Sequence, residues 1–124
     1  MTELMDYSSI TKLNLLGEEL DVLPDLSMSI NLVILDCSNN NITSLDNLPS
    51  NIKELYCYNN ITSLDNLPIT LKILNCSNNK ITILNNLPSS LENLYCDGNP
   101  LIYDFNPTLE NIRNYNADRQ VSPP

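Results

Sequence analysis

Residues 71–90 read LKILNCSNNKITILNNLPSS. Working outward, the same phrase returns on both sides between Leu32 and Asn99: L-x-x-L-x-C, an asparagine-bearing turn, then I-x-x-L-x-x-L-P. Its apolar positions here are Leu71, Leu74, Cys76, Ile81, Leu84 and Leu87. The preceding copies place Ile52, Leu55, Cys57, Ile61, Leu64 and Leu67, and before them Leu32, Leu35, Cys37, Ile42, Leu45 and Leu48. A fourth copy begins with Leu91, Leu94, Cys96 and Leu101 and then decays. Upstream, Ile10, Leu13, Leu15, Leu20, Leu23 and Leu26 keep the spacing, with Leu15 in the cysteine place and Glu18 in the asparagine place. Self-similarity at a short fixed period marks a repeat architecture, here of about five units.

A helical bundle is the competing reading, because Ile42, Leu45, Leu48, Ile52 and Leu55 step by three or four, as on one helix face. Pro49, Pro68 and Pro88 would each fall inside such a helix at about 3 kcal/mol apiece, and Asn39–Asn41 and Asn78–Asn79 favour turns. The prolines outweigh the stripe. A repeat of 19 to 20 residues is also too short for a strand, two turns and a full returning helix. The return leg should therefore be extended or a short 3₁₀ turn.

The phrase L-x-x-L-x-C-x-x-N-x-I followed by L-x-x-L-P, over about residues 10–112, resembles the leucine-rich repeat. The 20-residue length and Leu87-Pro88-Ser89-Ser90-Leu91 are similar to the short repeats of bacterial effectors and of leucine-rich repeat proteins in giant amoeba-infecting viruses. The heavy use of Asn and Ile fits an AT-rich genome. The resemblance implies an α/β-type repeat fold, mostly strand and coil. It would be a right-handed solenoid of about five coils, with a short parallel β-sheet on the concave face and extended or 3₁₀ convex segments. The expected coils are 10–31, 32–51, 52–70, 71–90 and 91–108, between an N-terminal cap at 1–9 and a C-terminal cap at 109–116, with a flexible tail at 117–124. Tyr103 and Phe105 suit folding over the last rung, and Leu109, Ile112 and Tyr115 suit either a sixth strand or a capping helix. Members of the family share an architecture and not a reaction.

Within a coil, Leu35 and Cys37 and their equivalents should point inward and the residue between them outward. Asn40, Asn79 and Asn99 follow their cysteines by three and can pair backbone groups of neighbouring turns, because an amide both donates and accepts. They predict a structural asparagine ladder. The second copy is shorter, since Cys57 reaches Ile61 in four steps where the other copies take five. Either Asn59 or Asn60 fills the ladder there, Asn60 being the residue at the usual offset. Cys37, Cys57, Cys76 and Cys96 are expected as buried free thiols. Stacked at about 4.8 Å they would spread over roughly 14 Å, too far apart to share one zinc, and parallel inward side chains would hold their Cβ atoms too wide for a bridge. No metal and no cofactor is expected.

The 124 residues allow one domain with no room for a separate catalytic one. The chain is 42% hydrophobic but holds one Phe, six Tyr and no Trp, so its interior should be narrow and aliphatic. A formal charge of −9 opposes nucleic acid and anionic membrane surfaces. Histidine is absent, which removes the commonest general base and a common metal ligand. The N-terminus lacks a signal-peptide pattern and no long apolar run occurs, so an intracellular, cytoplasmic protein is expected, in host cytoplasm if viral. Regular free thiols suit a reducing compartment. The triplets Asn41-Ile42-Thr43 and Asn60-Ile61-Thr62 would matter only in a secretory lumen.

With the inward positions committed to a core, function falls to outward columns of the sheet. One column holds Asn14, Asp36, Tyr56, Asn75 and Tyr95; its neighbours hold Leu16, Ser38, Tyr58, Ser77 and Asp97, and Lys12, Ile34, Glu54, Ile73 and Asn93. The candidate partner-binding residues are Ile34, Asp36, Glu54, Tyr56, Tyr58, Ile73, Asn75, Tyr95 and Asp97. Tyrosine is enriched at interface hot spots, although it also suits strands. The expected role is a noncatalytic protein-interaction module binding a protein or peptide, a host protein if the viral likeness holds. A substrate-recognition adaptor for a ubiquitin ligase supplied in trans and a structural or assembly protein are the alternatives. The acidic cluster Glu18, Glu19, Asp21 and Asp25 reads as a solvated face before a site for a basic partner. A monomer is expected, with end-to-end association as the alternative.

Overall fold

A computed structural model describes residues 8–120. Most of the expected N-terminal cap, residues 1–7, and the last four residues of the expected tail lie outside that range. Each L-x-x-L-x-C phrase, and its Ile10–Leu15 counterpart upstream, forms one three-residue strand: β1 (Lys12–Asn14), β2 (Ile34–Asp36), β3 (Glu54–Tyr56), β4 (Ile73–Asn75) and β5 (Asn93–Tyr95). They pair in parallel in chain order, with Leu13, Leu35, Leu55, Leu74 and Leu94 in unbroken register. A chain that returns to the same register after every repeat is a solenoid, here of about four turns.

The hydrogen-bond ladder continues one residue beyond each strand. The N–H of Cys37 donates to Tyr56 at 2.9 Å, that of Cys57 to Asn75 at 3.0 Å and that of Cys76 to Tyr95 at 2.8 Å. Inward residues therefore stack coil upon coil. Leu35, Leu55, Leu74, Ile42, Ile61 and Ile81 are wholly buried, as are Cys37, Cys57 and Cys76. Burial of each such aliphatic side chain contributes about 1.5–3 kcal/mol before chain entropy is charged against it. The end strands gain less: their central leucines, Leu13 and Leu94, are only partly covered.

The return legs are extended and carry no 3₁₀ segment among the described residues. Single turns close them, with Leu71 N–H donating to Pro68 and Leu91 N–H to Pro88, both at 3.1 Å. Proline opens these two turns as the acceptor, where its missing N–H costs nothing, and Ser29 takes that place for Leu32 at 3.1 Å in the first coil.

A second polar ladder runs just before the strands. Asn51 donates to the Ile30 carbonyl at 2.7 Å, Thr70 to Ser50 and Ile52 at 2.9 and 2.8 Å, and Ser90 to Leu71 at 2.6 Å. Residues 109–116 form part of a helix, α1 (Leu109–Gln120), which includes residues 117–120 of the expected tail. Thr108 caps it, its hydroxyl accepting the Asn111 N–H at 3.1 Å. Ile112 is fully buried against the last coil, and Tyr103, Phe105 and Tyr115 cluster with ring centroids 4.9–5.7 Å apart. The Arg113 guanidinium donates to Pro88, Ser89 and Leu91 carbonyls at 3.2, 3.3 and 2.8 Å. Leu91 and Ser89 are the counterparts of Ile52 and Ser50, so Arg113 supplies what a sixth coil's threonine would have supplied. Arg113→Ala should lower stability by about 2 kcal/mol in urea unfolding, because charged donors are lost from half-covered carbonyls. An unchanged midpoint would show that water replaces the guanidinium fully.

Candidate functional site

The outward face depends on how each coil leaves its strand. Asn40, Asn79 and Asn99 stand where the spacing predicts, and the shortened coil uses Asn59, not Asn60. Asn79 donates to the carbonyls of Cys57 and Cys76, both at 2.9 Å, and of Ser77 at 3.3 Å; its Oδ1 accepts the N–H groups of Asn59 and Ile61 at 2.9 and 3.0 Å. Asn59 is a poorer member, donating to the Cys37 carbonyl at 2.8 Å and accepting from Asn40 N–H at 2.7 Å. The missing residue explains why Asn60 is displaced. Gly17, Asn39, Asn78 and Gly98 precede the ladder place with φ of 66°, 61°, 56° and 73°, the left-handed region that glycine and asparagine tolerate. The short coil lacks that residue, so Tyr58 leads directly into Asn59.

All four cysteines are buried and free, one in each coil after the first, along the inside of the stack. Burial pushes the Cys37 and Cys76 thiols up to about 12 and raises those of Cys57 and Cys96 as well. Thiols in the unfolded chain ionise near their ordinary 9.0, so the unfolded state releases protons first as pH rises. Their contribution to stability is complete below about pH 9 and lost progressively toward about pH 12. Urea midpoints should fall across that window, and a flat profile would contradict the burial. Thiol labelling of the folded protein should be slow, with Cys96, 6% exposed, reacting ahead of Cys57 at 0%.

The three outward columns form one face. Register aligns Asn14, Asp36, Tyr56, Asn75 and Tyr95, and beside them Lys12, Ile34, Glu54, Ile73 and Asn93. The face divides into two kinds of residue. Asn14, Asp36 and Asn75 each turn a side-chain oxygen back to the N–H two residues on, at 3.0, 3.0 and 3.1 Å, and so cap their own strand ends. Asp36 and Asn75 thus carry a structural task that strand alternation did not reveal. Tyrosines hold the same place on β3 and β5, where no such oxygen exists, and Ser38 Oγ of the preceding coil accepts the Tyr58 N–H at 3.1 Å instead.

Tyr58 and Tyr95 are 50% and 52% exposed, whereas Tyr56 is half-buried and donates its hydroxyl to Glu54 at 2.8 Å. That bond raises the Tyr56 phenol above its ordinary value, because ionisation would face a carboxylate. Asp97 accepts the Ser77 hydroxyl at 2.7 Å. Ile34 and Ile73 flank the tyrosines as half-covered side chains. Glu18, Glu19, Asp21 and Asp25 are all exposed on the first coil, outside the three columns. A depression lined by Val22, Pro24, Asp25, Ser44, Asp46 and Asn47 lies outside the three columns as well.

No three His, Cys, Asp or Glu side chains converge among the described residues, and none of their helices is long and apolar enough to cross a membrane. No family model matches the chain, and no curated protein matches it.

Proposed function

We propose that this chain is a leucine-rich repeat solenoid acting as a noncatalytic interaction module, with a protein or peptide docking across the outward face of its sheet. The observation that carries the reading is the set of three tyrosines on one continuous outward surface, two of them half exposed. Tyrosine supplies large contact area at small entropy cost. The repeat reading is supported by the coincidence of the L-x-x-L-x-C phrase with strand and of N-x-I with the amide ladder. The row of free thiols favours a reducing compartment inside a cell. A host protein is the partner expected if the viral likeness is genuine. The helix over the last coil favours a monomer, because it occupies the end that a stacking copy would need.

Affinity capture with wild type and a Tyr56→Ala/Tyr58→Ala/Tyr95→Ala variant tests the reading. The variant should unfold within about 1–2 kcal/mol of wild type, since the rings are not core, and should lose most of the recovered partner. Equal recovery by a folded variant would place the docking surface elsewhere.

A further inference from the structure

The face carries a charge asymmetry that hydrogen bonding within the chain does not resolve. Across the three columns the carboxylates of Asp36, Glu54 and Asp97 stand against the single cation Lys12 on the first strand, while the exposed Lys53 and Lys72 lie just before the columns and Lys72 is paired with Glu92. Each carboxylate is held through one oxygen by a neutral donor: Ser38 N–H, Tyr56 O–H and Ser77 O–H. Among the described residues the one ion pair is Lys72–Glu92 at 3.3 Å, which involves none of the three. The aromatic groups share their ground. Tyr56 is the direct register partner of Asp36 on the neighbouring strand, and Tyr58 and Tyr95 are separated from each other by the shorter residues Asn75 and Ser77 of the coil between.

Small residues between tyrosines leave a shallow notch, two strand spacings or about 9.6 Å across its backbone walls. A planar cation fits this chemistry better than a point charge or an alkyl group. Guanidinium stacks on tyrosine faces and offers paired N–H donors to a carboxylate at the notch edge. The whole chain, at −9, adds a long-range field of the same sign.

We infer that the sheet face selects an arginine-bearing extended peptide segment, with a guanidinium seated among Tyr56, Tyr58 and Tyr95 and paired with Asp97 or Glu54. The inference rests on the docking-face reading and narrows the partner to a basic one.

The test is a titration of the ¹⁵N-labelled full chain with N-acetyl-Arg-Gly-Arg-Gly-Arg-amide and with its Lys, Leu and Glu counterparts, followed by amide shifts. The Arg peptide should move the amides of Tyr58, Ser77 and Asp97, bind at least about threefold tighter than the Lys peptide, and weaken severalfold when salt rises from about 50 to about 300 mM. Asp97→Asn, which keeps an oxygen for Ser77, and Tyr95→Ala should each reduce that binding severalfold with the remaining amide spectrum unchanged. Lys binding as tight as Arg, or no shift on this face with either, would overturn the inference. Shifts on the same amides with the Leu or Glu peptide alone would overturn it while leaving the docking face intact. Capture of the native partner by the triple-tyrosine variant would instead remove the docking face itself.

Discussion

Asn79→Ala is expected to lower the unfolding free energy by about 3–5 kcal/mol, roughly twice the cost of Asn59→Ala, while Asn60→Ala stays within about 0.5 kcal/mol. The order follows from what each amide leaves behind. Without Asn79, the N–H groups of Asn59 and Ile61 lose their acceptor and the Cys57 carbonyl loses its donor, all inside the stack. The Cys76 carbonyl keeps a bond at 2.9 Å from Asn99. Three buried groups without partners cost about 1–3 kcal/mol each, reduced by whatever water enters beside alanine. Removing Asn59 frees the Asn40 N–H, but the Cys37 carbonyl retains Asn40 at 3.0 Å. Asn60 takes part through its backbone N–H to Ile42, which alanine preserves. Urea midpoints at fixed slope would measure all three, and an Asn60 effect larger than that of Asn59 would refute the ladder assignment.

The misplacement of Asn60 shows which spacing carries information. Counting forward from the cysteine selects Asn60, whereas counting back from the next apolar residue selects Asn59, as Asn40–Ile42, Asn79–Ile81 and Asn99–Leu101 all keep an interval of two. The second count is the physical one, because the amide binds the N–H of a residue such as Ile61 or Ile81 in the neighbouring coil. The strands were legible because one buried side on each of several equal phrases forces a single register. The outward columns were legible for the same reason. Their division into capping and free residues was not, since alternation tells which way a side chain leaves the strand and says nothing of an Asp or Asn bending back to its own backbone. Thr108 followed by Glu110 is a helix-start signal that favours α1 over a sixth strand. The capping role of Arg113 had no local signal, because its partners are 22 to 25 residues earlier in the chain and only the stacking brings them within reach.

Leu74→Ala is expected to cost about 3–5 kcal/mol and to keep one cooperative transition, against about 1–2 kcal/mol for Leu13→Ala. Both leucines hold the same place in register, on β4 and β1, so chemistry and secondary structure are matched and only position along the stack differs. Leu74 is 0% exposed, with Leu55 and Leu94 on its two sides, and truncation leaves a cavity walled by neighbours that are themselves fixed in register. Leu13 is partly exposed at the edge of the sheet, where solvent already meets its outer side and less apolar contact exists to lose. The single transition follows from size. Loss of the β4 coil would leave three strands on one side and, on the other, β5 with α1, whose Ile112 and Arg113 dock on the coil that depends on β4. Neither fragment buries enough leucine to stand alone, because each repeat is stable only through its neighbours. Urea unfolding followed by tyrosine fluorescence and by far-ultraviolet dichroism should therefore coincide for Leu74→Ala. Separate transitions would mean that the first three coils form an independent folding unit, and equal costs for the two leucines would mean that the stack has no interior.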